Sequence, residues 1–244
     1  MNLSPLVAFV LFPAMLILIE GGRRLRFRHQ DSTGNNAIEG AVFGLFGLLL
    51  AFTFSGAMSR YDSHRQLLSA EINDIGTAYL RLDLLPQRLQ PEVRHLFRSY
   101  TSSRLNLFSA VADEVSPLAS RLQHEIWEHT LVAVASPGAS PDAAKLLIPA
   151  LNEMFDITVT RQTAFNMHPP TPVFMLLFVF TCASAFLAGY SSRSQVRNWV
   201  YMVVLSLSIT FTVYATLEIE YPRQGLIRFT ELDRSLIALR DSME

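Results

Sequence analysis

The segment His124-Glu-Ile-Trp-Glu-His129 places two imidazoles and two carboxylates within six residues. Those are the residue types of a zinc-protease helix. Such a helix needs its histidines four apart, on one face, with a glutamate beside the first. Here they are five apart, about 140° around a helix, so the segment reads as a solvated amphipathic face. Scattered Ser, His and Asp residues give no triad signal, because triads are recognised by geometry. The chain has no Gly-rich phosphate loop, nucleophile elbow or cysteine cluster. The sequence therefore predicts no catalytic residues, no metal, no cofactor and no enzyme.

Carboxylates at the ends of apolar runs are the next candidates: Glu20, Glu39, Glu218 and Glu220. They fit interfacial charges that face headgroups or cap helices. They also fit a carboxylate ring at a cation pathway formed by several subunits. Arg60-Tyr61-Asp62 reads as a membrane-exit motif, an interfacial anchor with an ion pair worth little if exposed.

The elements that position these residues are membrane helices. Of 244 residues, 50% are hydrophobic and the mean hydropathy is positive, above the norm for a soluble domain. A formal net charge of −1 gives no electrostatic argument for nucleic acid. The lone Cys182 excludes an intrachain disulfide. No cleavable signal peptide is expected, since the start lacks basic residues.

Residues 40–59 carry no charge and suffice to cross about 30 Å of hydrocarbon as a helix. The helical pattern continues to about Leu85, where Pro86 stops it. One stripe on this helix is apolar: Phe43, Leu50, Phe54, Tyr61, Leu68, Ile72, Ile75, Tyr79, Leu82, nearly a heptad seam. Beside it runs a small-to-polar line. Its membrane part is Gly40, Gly44, Gly47, Ala51 and Ser55, and it continues through Ser59, Asp62, Gln66, Ser69, Asn73 and Gly76. In a membrane small residues allow close backbone approach. The stripe fits packing within one chain, contact between subunits, or a pore lining. Phe46, Leu50 and Phe54 fit lipid-facing or core residues, or a hydrophobic constriction that gates by dewetting.

The remaining chain reads as helices throughout. A first apolar run, Leu3–Ile19, contains Pro5 and Pro13, is expected to kink, and ends at Glu20. A basic loop over 21–39 follows. Residues 60–170 read as a helical extramembrane region. Its segments begin near Pro91 (with Phe97, Tyr100, Leu105 and Phe108), Pro117 and an Asp142 cap, and Pro149 is expected to kink or shorten the last one. Residues 171–218 form a second transmembrane hairpin around a tight basic turn, 191–198, with Trp199 and Tyr201 as interfacial aromatics. Residues 219–244 read as an amphipathic tail with Leu226, Ile227, Leu232, Leu236 and Leu239. The fold class is all-α, a polytopic membrane protein with four transmembrane helices and a helical extension between helices two and three. Both short loops are arginine-dense, which places them in the cytoplasm.

Leu49-Leu-Ala-Phe-Thr-Phe-Ser-Gly-Ala-Met-Ser-Arg-Tyr-Asp62, then Arg65, Glu71, Ile75-Gly-Thr-Ala-Tyr-Leu-Arg81 and Leu84-Leu-Pro86, resembles the long-helix signature of a bacterial membrane family named bestrophin-like. Glu220-Tyr-Pro-Arg-Gln-Gly-Leu-Ile-Arg228 is similar to that family's second block. Bestrophins proper are oligomeric anion channels whose second membrane helix lines the pore. They carry an acidic calcium clasp, which has no counterpart found here. They also keep the region between helices two and three in the cytoplasm, opposite to the charge pattern above.

The resemblance implies a homo-oligomeric ion channel or channel-like pore in a bacterial inner membrane, with the 40–85 helix at the pore. Its expected partners are membrane lipid, further copies of the chain and inorganic ions. The alternative is a non-conducting scaffold or sensor whose extension binds a partner or signal.

Overall fold

The computed structural model describes residues 3–29, 36–109, 117–192, 197–222 and 229–243. That description leaves out the side chains of residues 3, 4, 29, 36 and 106–109. The Phe108 side chain, Leu226, Ile227, most of the tail block 220–228 and the loop segments 30–35 and 193–196 thus lie outside the described residues. All regular structure among the described residues is helical, and four helices are long and apolar enough to cross a membrane: Pro5–Arg28, Ala37–Leu84, Thr171–Tyr190 and Trp199–Glu220. The chain divides into two compact units, Met1–Tyr61 with His168–Ile227, and Asp62–Met167 with Arg228–Glu244.

The first unit contains α1 (Leu3–His29), the first part of α2 (Asn36–Leu80), α6 (Thr171–Tyr190) and α7 (Trp199–Glu220). One expectation for α1 needs correction: the helix does not end near Ile19 but passes Glu20 and Gly21 to end at His29, with Pro13 inside it. Membrane helices tolerate proline, and Gly22 continues the helix because it packs directly on α6, as described below. Pro170 and Pro172 start α6, where a fixed φ suits the first turn. Asn198 caps α7, its side chain accepting the Tyr201 N–H at 3.1 Å. The core joins Leu11, Met15 and Ile19 of α1 to Phe46, Leu177, Met202 and Val213.

The second unit holds the rest of α2, a 3-10 turn (Arg81–Leu84), α3 (Gln90–Ser109), α4 (Pro117–Val134), α5 (Ala143–Phe165) and α8 (Thr230–Asp241). The α2 helix ends as the sequence predicts: Leu85 is extended (φ −81°, ψ 157°), the conformation a following proline imposes. The apolar seam splits by location. Leu68, Ile75, Tyr79 and Leu82 are buried inside this unit, with Tyr79 edge-on to Phe97 at 6.0 Å. Pro149 neither stops nor shortens α5, because buried Leu147, Ala150 and Leu151 anchor the helix on both sides of it. Asp142 precedes α5 but its side chain makes no cap hydrogen bond. Its carboxylate instead sits 3.4 Å from Lys145 Nζ.

Candidate functional site: the exposed face of the central helix and its polar exit

With about 3.6 residues per turn, Phe46 and Ala57 lie on one side of α2 and Gly40, Gly44, Gly47, Ala51 and Ser55 on the other. Phe46 and Ala57 are buried. All five residues of the small line are exposed. A methyl group built on Gly40, Gly44 or Gly47 meets no atom within 4 Å. The small line is thus not where the described helices pack on one another.

Close packing occurs elsewhere, at a place the sequence reading missed. A Cβ on Gly22 would collide with the Phe186 carbonyl, and one on Gly189 with the Ile19 carbonyl. The α1 and α6 backbones touch there, and Arg26 Nη1 donates to the Tyr190 carbonyl at 2.8 Å beside them. Gly22 lay in an expected loop and Gly189 is a single glycine in an apolar run, so neither spacing signalled a crossing.

The Phe46–Leu50–Phe54 grouping does not survive as one feature. Phe46 is 5% exposed in the bundle core, and Leu50 packs partly against that core. Only Phe54, 36% exposed, stands at the edge of the small line. Phe52 also faces outward.

The exit of α2 is polar. Arg60 grips Glu220 with Nε at 2.9 Å and Nη2 at 2.6 Å from Oε2. His168 Nδ1 lies 3.3 Å from the other carboxylate oxygen, and its ring packs on Tyr221 at 4.7 Å. Burial, with Glu220 alongside, pushes the Tyr221 phenol above its usual pKa, so it stays a neutral donor. Arg60 therefore pairs across helices with Glu220, while Asp62 is exposed.

At the opposite end Glu20 accepts from Arg23, Arg24 and Arg197 at 2.8–3.1 Å. Glu218 is buried and bonded to Tyr214, and Glu39 sits half-buried in the first turn of α2. Three of the four flanking carboxylates are spent on partners within the chain, which argues against a bare cation-binding ring.

In the second unit Glu71 is fully buried between two guanidiniums. Arg104 Nε is 2.6 Å from Oε1 and Arg161 Nε 3.2 Å from Oε2. Next to them Gln123 Nε2 donates to the Tyr100 hydroxyl at 3.2 Å, and burial pushes the Tyr100 pKa up to about 12. This group ties α2, α3 and α5 together. The two histidines of the 124–129 segment point to separate partners, His124 to Glu128 at 3.2 Å and His129 to Glu92 at 3.5 Å.

No curated protein and no solved structure shows significant similarity to the chain. A family model, the Bestrophin-like domain, matches residues 7–231. That span takes in all but the first turn of the four helices long and apolar enough to cross a membrane, together with the small line and the polar exit, and it makes the chain a member of the Bestrophin-like family.

Proposed function

We propose that the protein is a homo-oligomeric, channel-like membrane pore, with the small line of α2 at the junction of subunits and bordering the conduction path. One observation carries this reading: Gly40, Gly44, Gly47, Ala51 and Ser55 are exposed on the side of α2 opposite its core face. Against lipid tails such residues gain nothing. Against another helix they allow close approach, and beside water Ser55 keeps a hydrogen-bonding partner. Phe54, at the edge of the line, is the residue placed to narrow the path, and an apolar constriction of that kind gates by dewetting. The arginine-rich segments within 21–39 and 191–198 face the cytoplasm of a bacterial cell in this reading, and inorganic ions are the permeant species. No side chain is assigned a catalytic role.

The test is ion flux through sealed liposomes holding purified oligomer, with several cations and anions. Wild type is expected to conduct and Phe54→Ala to raise flux several-fold. Gly47→Ile is expected to abolish assembly or flux. No flux from folded, oligomeric wild type and Phe54→Ala alike overturns the pore and leaves a scaffold or sensor.

A further inference from the structure

Between α1, α6 and α7 the first unit holds a cavity of about 730 Å³. Its floor is buried: Leu11, Leu177, Thr181 and Val213. Its rim, Leu6, Val10 and Phe178, is exposed. The lining is apolar apart from two groups. The Thr181 hydroxyl is already spent on the Leu177 carbonyl at 2.7 Å, and Tyr221 closes one end.

The slot runs along α1 from Leu6 to Ala14, about 12 Å of helix at 1.5 Å per residue. That is most of one leaflet's share, about 15 Å, of a 30 Å hydrocarbon core. Its volume lies in the range of built ligand pockets, about 300–1,000 Å³. Length, volume and an apolar wall match a lipid acyl chain entering from one leaflet.

The Tyr221 end has a different chemistry. The Tyr221 ring rests on His168, and His168 and Arg60 converge on Glu220. Glu220 is 2% exposed, whereas Arg60 and His168 keep 31% and 38% of their side chains in contact with the surroundings. The carboxylate is turned inward and the donors outward, so an approaching headgroup meets a guanidinium, an imidazole and a phenol. Guanidinium, imidazole and phenol are all hydrogen-bond donors that a phosphate oxygen can accept from, the guanidinium most strongly.

We infer that this slot is a specific site for an anionic phospholipid, one acyl chain between α1, α6 and α7 and the phosphate at Arg60, His168 and Tyr221. The site differs from the bulk lipid around the helices because chain and headgroup are held by one unit. It does not depend on conduction.

Native mass spectrometry of the full chain, purified in mild detergent and exposed to equal phosphatidylglycerol and phosphatidylcholine, tests this. Wild type is expected to retain one phosphatidylglycerol per chain. Ala14→Phe, which fills the slot, is expected to lower that occupancy at least tenfold. Tyr221→Phe is expected to lower the preference for phosphatidylglycerol several-fold while the slot stays open. Val10→Trp at the rim repeats the first test should Ala14→Phe melt at a lower temperature than wild type.

Retention of both lipids equally, retention of free fatty acid in place of phospholipid, or unchanged occupancy in both filled variants overturns the assignment. Phosphatidylglycerol loss in the filled variants with wild-type flux supports the lipid site, whatever the outcome for the pore.

Discussion

Arg60 and Glu220, 160 residues apart, form a two-nitrogen ion pair that fastens the membrane exit of α2 to the end of α7. The carboxylate is buried and the guanidinium is about one-third exposed. Arg60→Met strands Glu220. It is expected to lower stability by about 2–3 kcal/mol, less than the ~3–5 kcal/mol of a fully buried pair, because water reaches the cation. Arg60→Met with Glu220→Leu is expected to recover most of that loss in thermal unfolding at fixed detergent. A single variant as stable as wild type would show that His168 alone satisfies the carboxylate.

The Glu71 site is less forgiving. Glu71→Gln leaves two buried guanidiniums facing a neutral amide and is expected to cost about 3–5 kcal/mol. Glu125→Gln, in a surface pair with Arg121 on one helix, should stay within about 1 kcal/mol. Equal melting temperatures for the two variants would contradict the buried placement of Glu71.

Tyr100 gives the extension an alkaline limit. Its phenol titrates near 12 in the fold against 10.0 for the free group, so the folded state holds the proton more tightly. The resulting stability is complete below pH 10 and is lost as pH rises from 10 to 12. Its full size is about 2–3 kcal/mol. Denaturant melts across that window should show the loss, and Tyr100→Phe should flatten it. A wild-type curve with the slope of the variant's would contradict the burial of the hydroxyl.

Two glycines on different helices separate packing from assembly. Gly189→Ala places a methyl group into the Ile19 carbonyl and is expected to cost about 1–3 kcal/mol. Gly47→Ala meets nothing within 4 Å among the described residues, so the monomer should melt unchanged in detergent while any shift appears in the oligomer population. If Gly47→Ala destabilised the monomer and Gly189→Ala did not, the two roles would be exchanged.

Orientation is decided by labelling. Single cysteines at Ser32 and Ser140, in a Cys182→Ala background, are treated in intact cells with an impermeant thiol reagent. Labelling at 140 only is expected from the positive-inside rule. Labelling at 32 only would invert the topology and match bestrophins proper.

Element identities were readable wherever one physical cause dominates. Uncharged runs gave the membrane helices, Pro86 the end of α2, and the apolar positions Leu68, Ile75 and Leu82 the buried seam of the extension. The small line of α2 was visible as a pattern, but periodicity cannot say which face meets the chain's own core. Phe46 is therefore buried while Phe54, eight residues on, is not.

The ion groups were hidden for another reason. Glu71, Arg104 and Arg161 come from three helices, and each looks in sequence like any polar residue of an amphipathic helix. Only folding reveals that all three are inside. Glycine is similarly silent: Gly22 and Gly189 act through the side chain they lack, and their partners are carbonyls far along the chain.

The α1–α6 pair is closed at Gly22 and Gly189 and parted by the slot toward Leu6 and Phe174. The two ends of the pair therefore tolerate change differently: a side chain added at Gly22 or Gly189 strikes the neighbouring backbone, whereas one enlarged at Leu6 or Phe174 grows into open space.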